Sequence, residues 1–311
     1  MAEGWDLSAV VSELRALRQG DSRQNRSPLR PMPLPSPQVL GAVIDDLAAA
    51  LFPQRLALSE ERRAGEVLAP DSIDYFVGHR LDACLRSLAE QIRIELTARA
   101  PLEERPEAQQ DQAIGIARRF ARRLPQIRRL LDSDLDAAYR GDPAALGLDE
   151  VLVCYPGMQA ITAHRFAHAL HDLGAPLVAR IIAERAHSLT GVDIHPGAVI
   201  GDSFFIDHGT SVVIGGTAVI GNRVRLYQAV TLGAKSFPQE PDGALIKGIP
   251  RHPIVEDDVV IYAGATILGR VTIGRGAQIG GNVWLTSSVP PETTVTQAKV
   301  ISETFGEGAG I

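Results

Sequence analysis

His208 is the side chain whose type points most directly to chemistry. An imidazole gains and loses a proton near neutral pH, so a histidine among polar turn residues is a candidate general base. Asp193 stands fifteen residues earlier. That spacing is close to one coil of three six-residue faces, which would let the two positions stack on adjacent coils. The plain alternative is a histidine that only decorates a turn, and residue types alone leave both readings open. A second group, Arg251-His252, closes the polar, proline-containing stretch GAKSFPQEPDGALIKGIPRH (233–252). Segments ejected from a repeat usually gather on one face, often the binding face, and two cationic side chains at the return end favour function over a tolerated insertion.

The element that must position these residues is a repeat. After Gly191 aliphatic residues recur every six positions: Ile194, Ile200 and Ile206, then Ile214, Ile220, Leu226 and Leu232, displaced by two. A later run, Val255, Ile261, Ile267, Ile273, Ile279 and Leu285, keeps the step. Small or β-branched residues (Ala198, Ala218, Val224, Ala265, Val271, Ala277, Val283) stand two places before them, and glycine commonly follows. A step of six fits neither a helix nor an alternating strand. It fits a solenoid of short flat faces, each coil burying its aliphatics against its neighbours. The period does not set the handedness, and nearly all parallel crossovers are right-handed.

The first 190 residues read as helical. Helical spacing covers 6–18, 72–98, 107–123, 126–140 and 157–188, the last broken at Gly174 and Pro176. Ser36-Pro37 opens another helix, to about Leu51, with Pro53 as its stop. Residues 19–37 read as a proline-rich linker, and Gly141-Asp142-Pro143 as a break. The expected organisation is a helical region over 1–190, a repeat domain over 191–290 with a loop at 233–252, and a tail over 291–311.

Bulk composition narrows the class. The formal charge of −6 argues against a nucleic-acid protein. Two cysteines, Cys84 and Cys154, make no disulfide framework and read as buried or half-buried thiols. No apolar run approaches a membrane span, and the acidic start Met-Ala-Glu-Gly-Trp-Asp is unlike a signal peptide, so a soluble cytoplasmic protein is expected.

The motifs VDIHPGAVIG (192–201), IDHGT (206–210), VTLGA (230–234) and PRHP (250–253), with GDPA (141–144) and GMQAITAHRFAHAL (157–170) upstream, resemble those of the serine O-acetyltransferases. These are hexapeptide-repeat acyltransferases, and the resemblance spans roughly residues 135–290. It implies an α+β fold: an N-terminal α-helical domain, a left-handed parallel β-helix and a flexible C-terminal tail. It implies general-base transfer of acetyl from acetyl-CoA to L-serine, without a metal, as the first step of cysteine biosynthesis. It makes Asp193 the carboxylate partner of His208. Arg251 and His252 would hold the carboxylate of serine, and Asp142 and Asp207 its ammonium. Gly233, Ala263 and Gly281 fall where the family contacts CoA. Homotrimers with sites between subunits, joined in some members into a dimer of trimers, and feedback inhibition by L-cysteine are also implied. The ending FGEGAGI resembles the family's peptide for O-acetylserine sulfhydrylase, with Ile311 as its contact. The chain departs from the family at Gly233-Ala234-Lys235, where Gly-Gly-Thr is usual, and at Thr296-Gln297-Ala298-Lys299, where Gly-Val-Pro-Ala-Arg is usual.

Three other readings stand beside this one. The same fold acetylates other acceptors, such as homoserine or a sugar amine. A γ-type carbonic anhydrase would gather His195, His208 and His252 on zinc, although His195 by itself reads as a structural residue at a coil corner. A non-catalytic scaffold would use only the tail.

Overall fold

The computed structural model describes residues 7–24, 33–56, 70–100 and 106–297. Ile311 and residues 25–32 of the expected linker lie outside this set. Eight helices precede fourteen strands among the described residues. The helices are α1 (Ser8–Gln24), α2 (Pro37–Leu51), α3 (Pro53–Leu56), α4 (Pro70–Arg99), α5 (Pro106–Gly141), α6 (Leu148–Cys154), α7 (Pro156–Asp172) and α8 (Pro176–Thr190). Local chemistry explains several ends. The Ser36 hydroxyl accepts from the Val39 amide at the start of α2, and Pro37 takes its first turn. Gly191 caps α8 at a φ of 71°, a conformation suited to glycine.

The helical bounds shift in places. Helix α1 runs past residue 18 into the expected linker. Helix α2 ends at Leu51 as expected, and Pro53 then starts the separate single turn α3. The helix expected at 107–123 and the stretch 126–140 that continues its pattern are one helix, α5, with Pro125 inside it. An interior proline costs about 3 kcal/mol, but the buried stripe Ile116, Phe120, Leu124, Ile127, Leu131 and Leu135 runs unbroken past it, and that packing outweighs the lost bond. Helix α6 was not foreseen, and Cys154 at its end is exposed, whereas Cys84 is buried as expected.

From Asp193 the chain winds as a left-handed β-helix with three faces. Face A stacks β1 (Asp193–Ile194), β4 (Val213–Ile214), β7 (Thr231–Gly233), β10 (Thr266–Leu268) and β13 (Trp284–Leu285). Face B holds β2 (Val199–Ile200), β5 (Val219–Ile220), β8 (Ile254–Val255) and β11 (Thr272–Ile273). Face C holds β3 (Phe205–Ile206), β6 (Arg225–Leu226), β9 (Val260–Ile261), β12 (Gln278–Ile279) and β14 (Thr294–Val295), the last of them beyond the expected boundary at 290. The six-step aliphatics from Ile194 to Ile279 are buried inside, with Ala198, Ala218, Ala265 and Ala277 beside them. All named strand pairs are parallel, and the outward positions of face A run Asp193, Val213, Thr231, Thr266, Trp284. Asp193 therefore stacks on Val213, not on His208.

One buried ion pair fastens the helices to this prism. Arg165 of α7 donates to both carboxylate oxygens of Asp134 on α5, at 3.1 and 3.0 Å, and to the carbonyls of Ile200 and Gly201, each at 2.6 Å. The Asp134 carboxylate also accepts from the Phe204 amide at 2.9 Å. Both side chains are almost wholly buried, at 5% and 0% exposed. No described helix is long and apolar enough to cross a membrane. Replacing Asp134 by Asn leaves the Arg165 charge buried and uncompensated. The variant should lose about 3–5 kcal/mol, seen as a lower guanidinium midpoint; a midpoint equal to that of the parent would contradict this role for the pair.

Candidate active site

The chemistry-bearing residues fall on two edges of the prism, those that flank face A. At the edge between faces C and A, the aliphatic step lengthens from six to eight between Ile206 and Ile214. The longer corner carries Asp207 and His208 outward. Its backbone is in the left-handed region at His208 (φ 59°), Gly209 (90°) and Ser211 (63°). That is uncommon for residues with a Cβ. The Gly209 amide closes the corner on the Asp207 carbonyl at 2.7 Å. The His208 side chain is 72% exposed, and its Nε2 lies 3.8 Å from Asp207 Oδ1.

Asp142 reaches the same place from the end of α5. Its Oδ1 accepts from the Ala144 amide at 2.8 Å and its Oδ2 from the Tyr155 hydroxyl at 2.6 Å. The Tyr155 bond, then the Ala144 bond, holds this carboxyl below its ordinary range, helped by the nearby charges of Arg225 and His208. The same bond pushes the Tyr155 phenol up to about 12. Arg225, on β6, donates through Nη2 to Asp207 Oδ2 at 2.6 Å. This edge is thus an anionic cradle beside an accessible imidazole.

The edge between faces A and B is cationic. The His252 ring lies over Gly215, where a Cβ would overlap it. Its Nδ1 receives the Thr217 amide at 3.1 Å and the Thr217 hydroxyl at 2.8 Å. The hydroxyl oxygen in turn accepts the Arg251 and His252 amides at 2.9 and 3.1 Å. With Nδ1 accepting, the neutral ring carries its hydrogen on Nε2 and presents a donor. Burial, then the charges of Arg251, His195 and Arg270, pushes His252 down to about 4. The Arg251 guanidinium sits 5.8 Å from the Phe237 ring centroid, and Phe237 belongs to the 233–252 loop. That loop folds back as a short hairpin, bridging Gln239 to Leu245. His195 lies at this edge too. Its Nδ1 accepts from the Gly197 amide at 3.0 Å, and burial followed by the Arg180 charge lowers it.

The structure brings together Asp142, Asp207 and His208 on one edge, and Arg251, His252 and His195 on the other. It does not bring Asp193 to His208: among the described residues no hydrogen bond or ion pair joins them, and Asp193 points outward from face A between the edges. Of the expected CoA contacts, Ala263 and Gly281 are neighbours on the C–A edge, where a Cβ on Gly281 would lie 3.2 Å from the Ala263 carbonyl. Gly233 is across the face, against Leu268. Sequence reasoning missed Tyr155, Thr217 and Arg225. Only Arg225 carried a signal, a cation at an outward strand position two residues before an aromatic.

The family model "Bacterial transferase hexapeptide (six repeats)" matches residues 252–287. A plasmid serine acetyltransferase of Synechococcus elongatus is 53% identical, covering 99% of this chain and 95% of its own. The crystal structure of Entamoeba histolytica serine acetyltransferase 1 in complex with L-cysteine superposes with a TM-score of 0.70 at 32% identity, over 93% of this chain and 98% of its own. The serine complex of the Neisseria gonorrhoeae serine acetyltransferase gives 0.53 at 30% identity, over 84% and 95%.

Because its Nδ1 is held as an acceptor in a buried, cationic corner, the His252 ring should remain neutral and Nε2-protonated down to about pH 4. Nitrogen-detected NMR of the imidazole reads this directly, and titration near 6.5 would contradict the geometry.

Proposed function

Because the chain belongs to the serine acetyltransferase family, we propose that it acetylates L-serine with acetyl-CoA at a site that two copies build together. The observation that carries this reading is the split of the candidate residues. An anionic edge with an exposed imidazole and a cationic edge with a buried neutral one flank the same face. Serine is a zwitterion and needs both. A head-to-tail contact repeated around a three-fold axis sets the C–A edge of one copy against the A–B edge of the next and closes the ring. A homotrimer is the simplest such assembly.

In that joint, Asp142 and Asp207 take the ammonium, while Arg251 and the Nε2 hydrogen of His252 from the neighbouring copy take the carboxylate. His208 accepts the proton of the serine hydroxyl as its oxygen attacks the thioester carbonyl. The C–S bond then breaks, and His208 returns the proton to the leaving CoA sulfur. Asp193, midway across face A, serves His208 only through this closure; in the single chain the carboxylate beside His208 is Asp207. The pantetheine arm would run along the small residues Ala263 and Gly281 on one side and Gly233 on the other. L-cysteine, which keeps both charged groups of serine, fits the same cradle and would compete with it. The protein would act in the cytoplasm. An Ile311-tipped tail would suit capture by O-acetylserine sulfhydrylase, since a free terminal carboxylate fits a backbone nest.

The test is thiol release from acetyl-CoA on addition of L-serine. His208→Ala should lower kcat by about 10²–10⁴ with the assembly mass unchanged, and Arg251→Ala should raise KM for serine. Full activity in His208→Ala would refute its role as base, and homoserine turned over as well as serine would refute the acceptor.

A further inference from the structure

Arg225 makes more contacts within the anionic edge than a strand residue needs. Its guanidinium lies over two aromatic rings, 4.9 Å from the centroid of Phe205 and 4.6 Å from that of Tyr227. Tyr227 stacks in turn on Tyr262, at 5.2 Å and 13° between planes. Held against these rings, Nη2 donates to Asp207 Oδ2 and Nη1 donates to the Gly141 carbonyl, both at 2.6 Å. Gly141 is the last residue of α5 and the neighbour of Asp142. It must be glycine-sized, since a Cβ there would lie 2.9 Å from the Phe205 ring. The two prongs of one rigid fork thus join the two chain segments that carry the ammonium-binding carboxylates.

We propose that Arg225 is a positioning and specificity-determining residue for the amino group of the acceptor. It acts in two ways. As a bridge, it fixes the separation of Asp142 and Asp207, which come from different elements and share no direct bond. As a charge, it reduces the pair of carboxylates from two negative charges to one. The cradle then matches a single ammonium and disfavours dications. A lysine could supply the charge but not a planar fork with two divergent donors. Tyr155 complements this from the far side by anchoring Asp142 Oδ2.

This inference rests on the reading of Asp142 and Asp207 as the ammonium cradle. Its test is steady-state kinetics of Arg225→Gln and Arg225→Lys in the full chain, alongside inhibition by 3-hydroxypropanoate, which is serine without its amino group. Arg225→Gln should raise KM for serine by at least about tenfold. KM for acetyl-CoA and the inhibition constant of 3-hydroxypropanoate should stay unchanged. Arg225→Lys should fall between the parent and Gln. An unchanged KM for serine in both variants would overturn the proposal. So would an equal weakening of serine and 3-hydroxypropanoate, because that marks general damage to the edge. A parent enzyme without serine-dependent thiol release would instead overturn the assigned reaction.

Discussion

The ion pair between Asp134 and Arg165 is the constraint on which the site depends. Two charges buried this deeply cost several kcal/mol in lost hydration, and a bare pair would not recover it. Here hydrogen bonds answer both charges: the carboxylate takes the guanidinium and the Phe204 amide, and the guanidinium takes the Ile200 and Gly201 carbonyls. The pair therefore fixes α5 and α7 to the first coil at one register. Two turns further along α5 the helix ends at Gly141, and Asp142 is delivered beside Asp207. Arg225 then locks that meeting. A helical residue and a solenoid residue make one cradle because a buried pair sets the angle at which helix meets coil.

The second constraint is the geometry of a three-faced prism. Corners stack above one another, so residues at the same corner of successive coils form a continuous edge. Lengthening the corner after Ile206 by two residues pushes Asp207 and His208 out of the C–A edge. Ejecting residues 233–252 brings Arg251 and His252 back onto the A–B edge, where Thr217 and Gly215 of the preceding coil receive them. Face A lies between these edges. Complementary half-sites separated in this way are joined most simply by a second copy of the same chain.

The solenoid was legible because its inward positions are bound to one period by packing, and few residue types fill them. The two-residue displacement in that period was visible too, and it marks the protruding corner. What could not be read was which corner stacks on which. The fifteen-residue spacing of Asp193 and His208 suggested adjacency, but the lengthened first coil pairs Asp193 with Val213, twenty positions on. Tyr155 and Thr217 were invisible for another reason: they act through hydrogen bonds to Asp142 and His252 that only the folded chain creates. Pro125 does not break α5, because local backbone preference loses to the buried stripe of that helix.

A site shared between copies is tested most directly by mixing two impaired chains. His208→Ala has an intact cationic edge, and Arg251→Ala has an intact anionic edge with its imidazole. Unfolded together and refolded as mixed assemblies, they form joints in which the sound edge of one chain meets the sound edge of the other. At serine well below the raised KM of Arg251→Ala, serine-dependent thiol release should return to a substantial fraction of the parent rate in the mixture, and stay low when either chain is refolded alone. A mixture no more active than its components, with mixed assemblies present by mass, would contradict a site shared between copies.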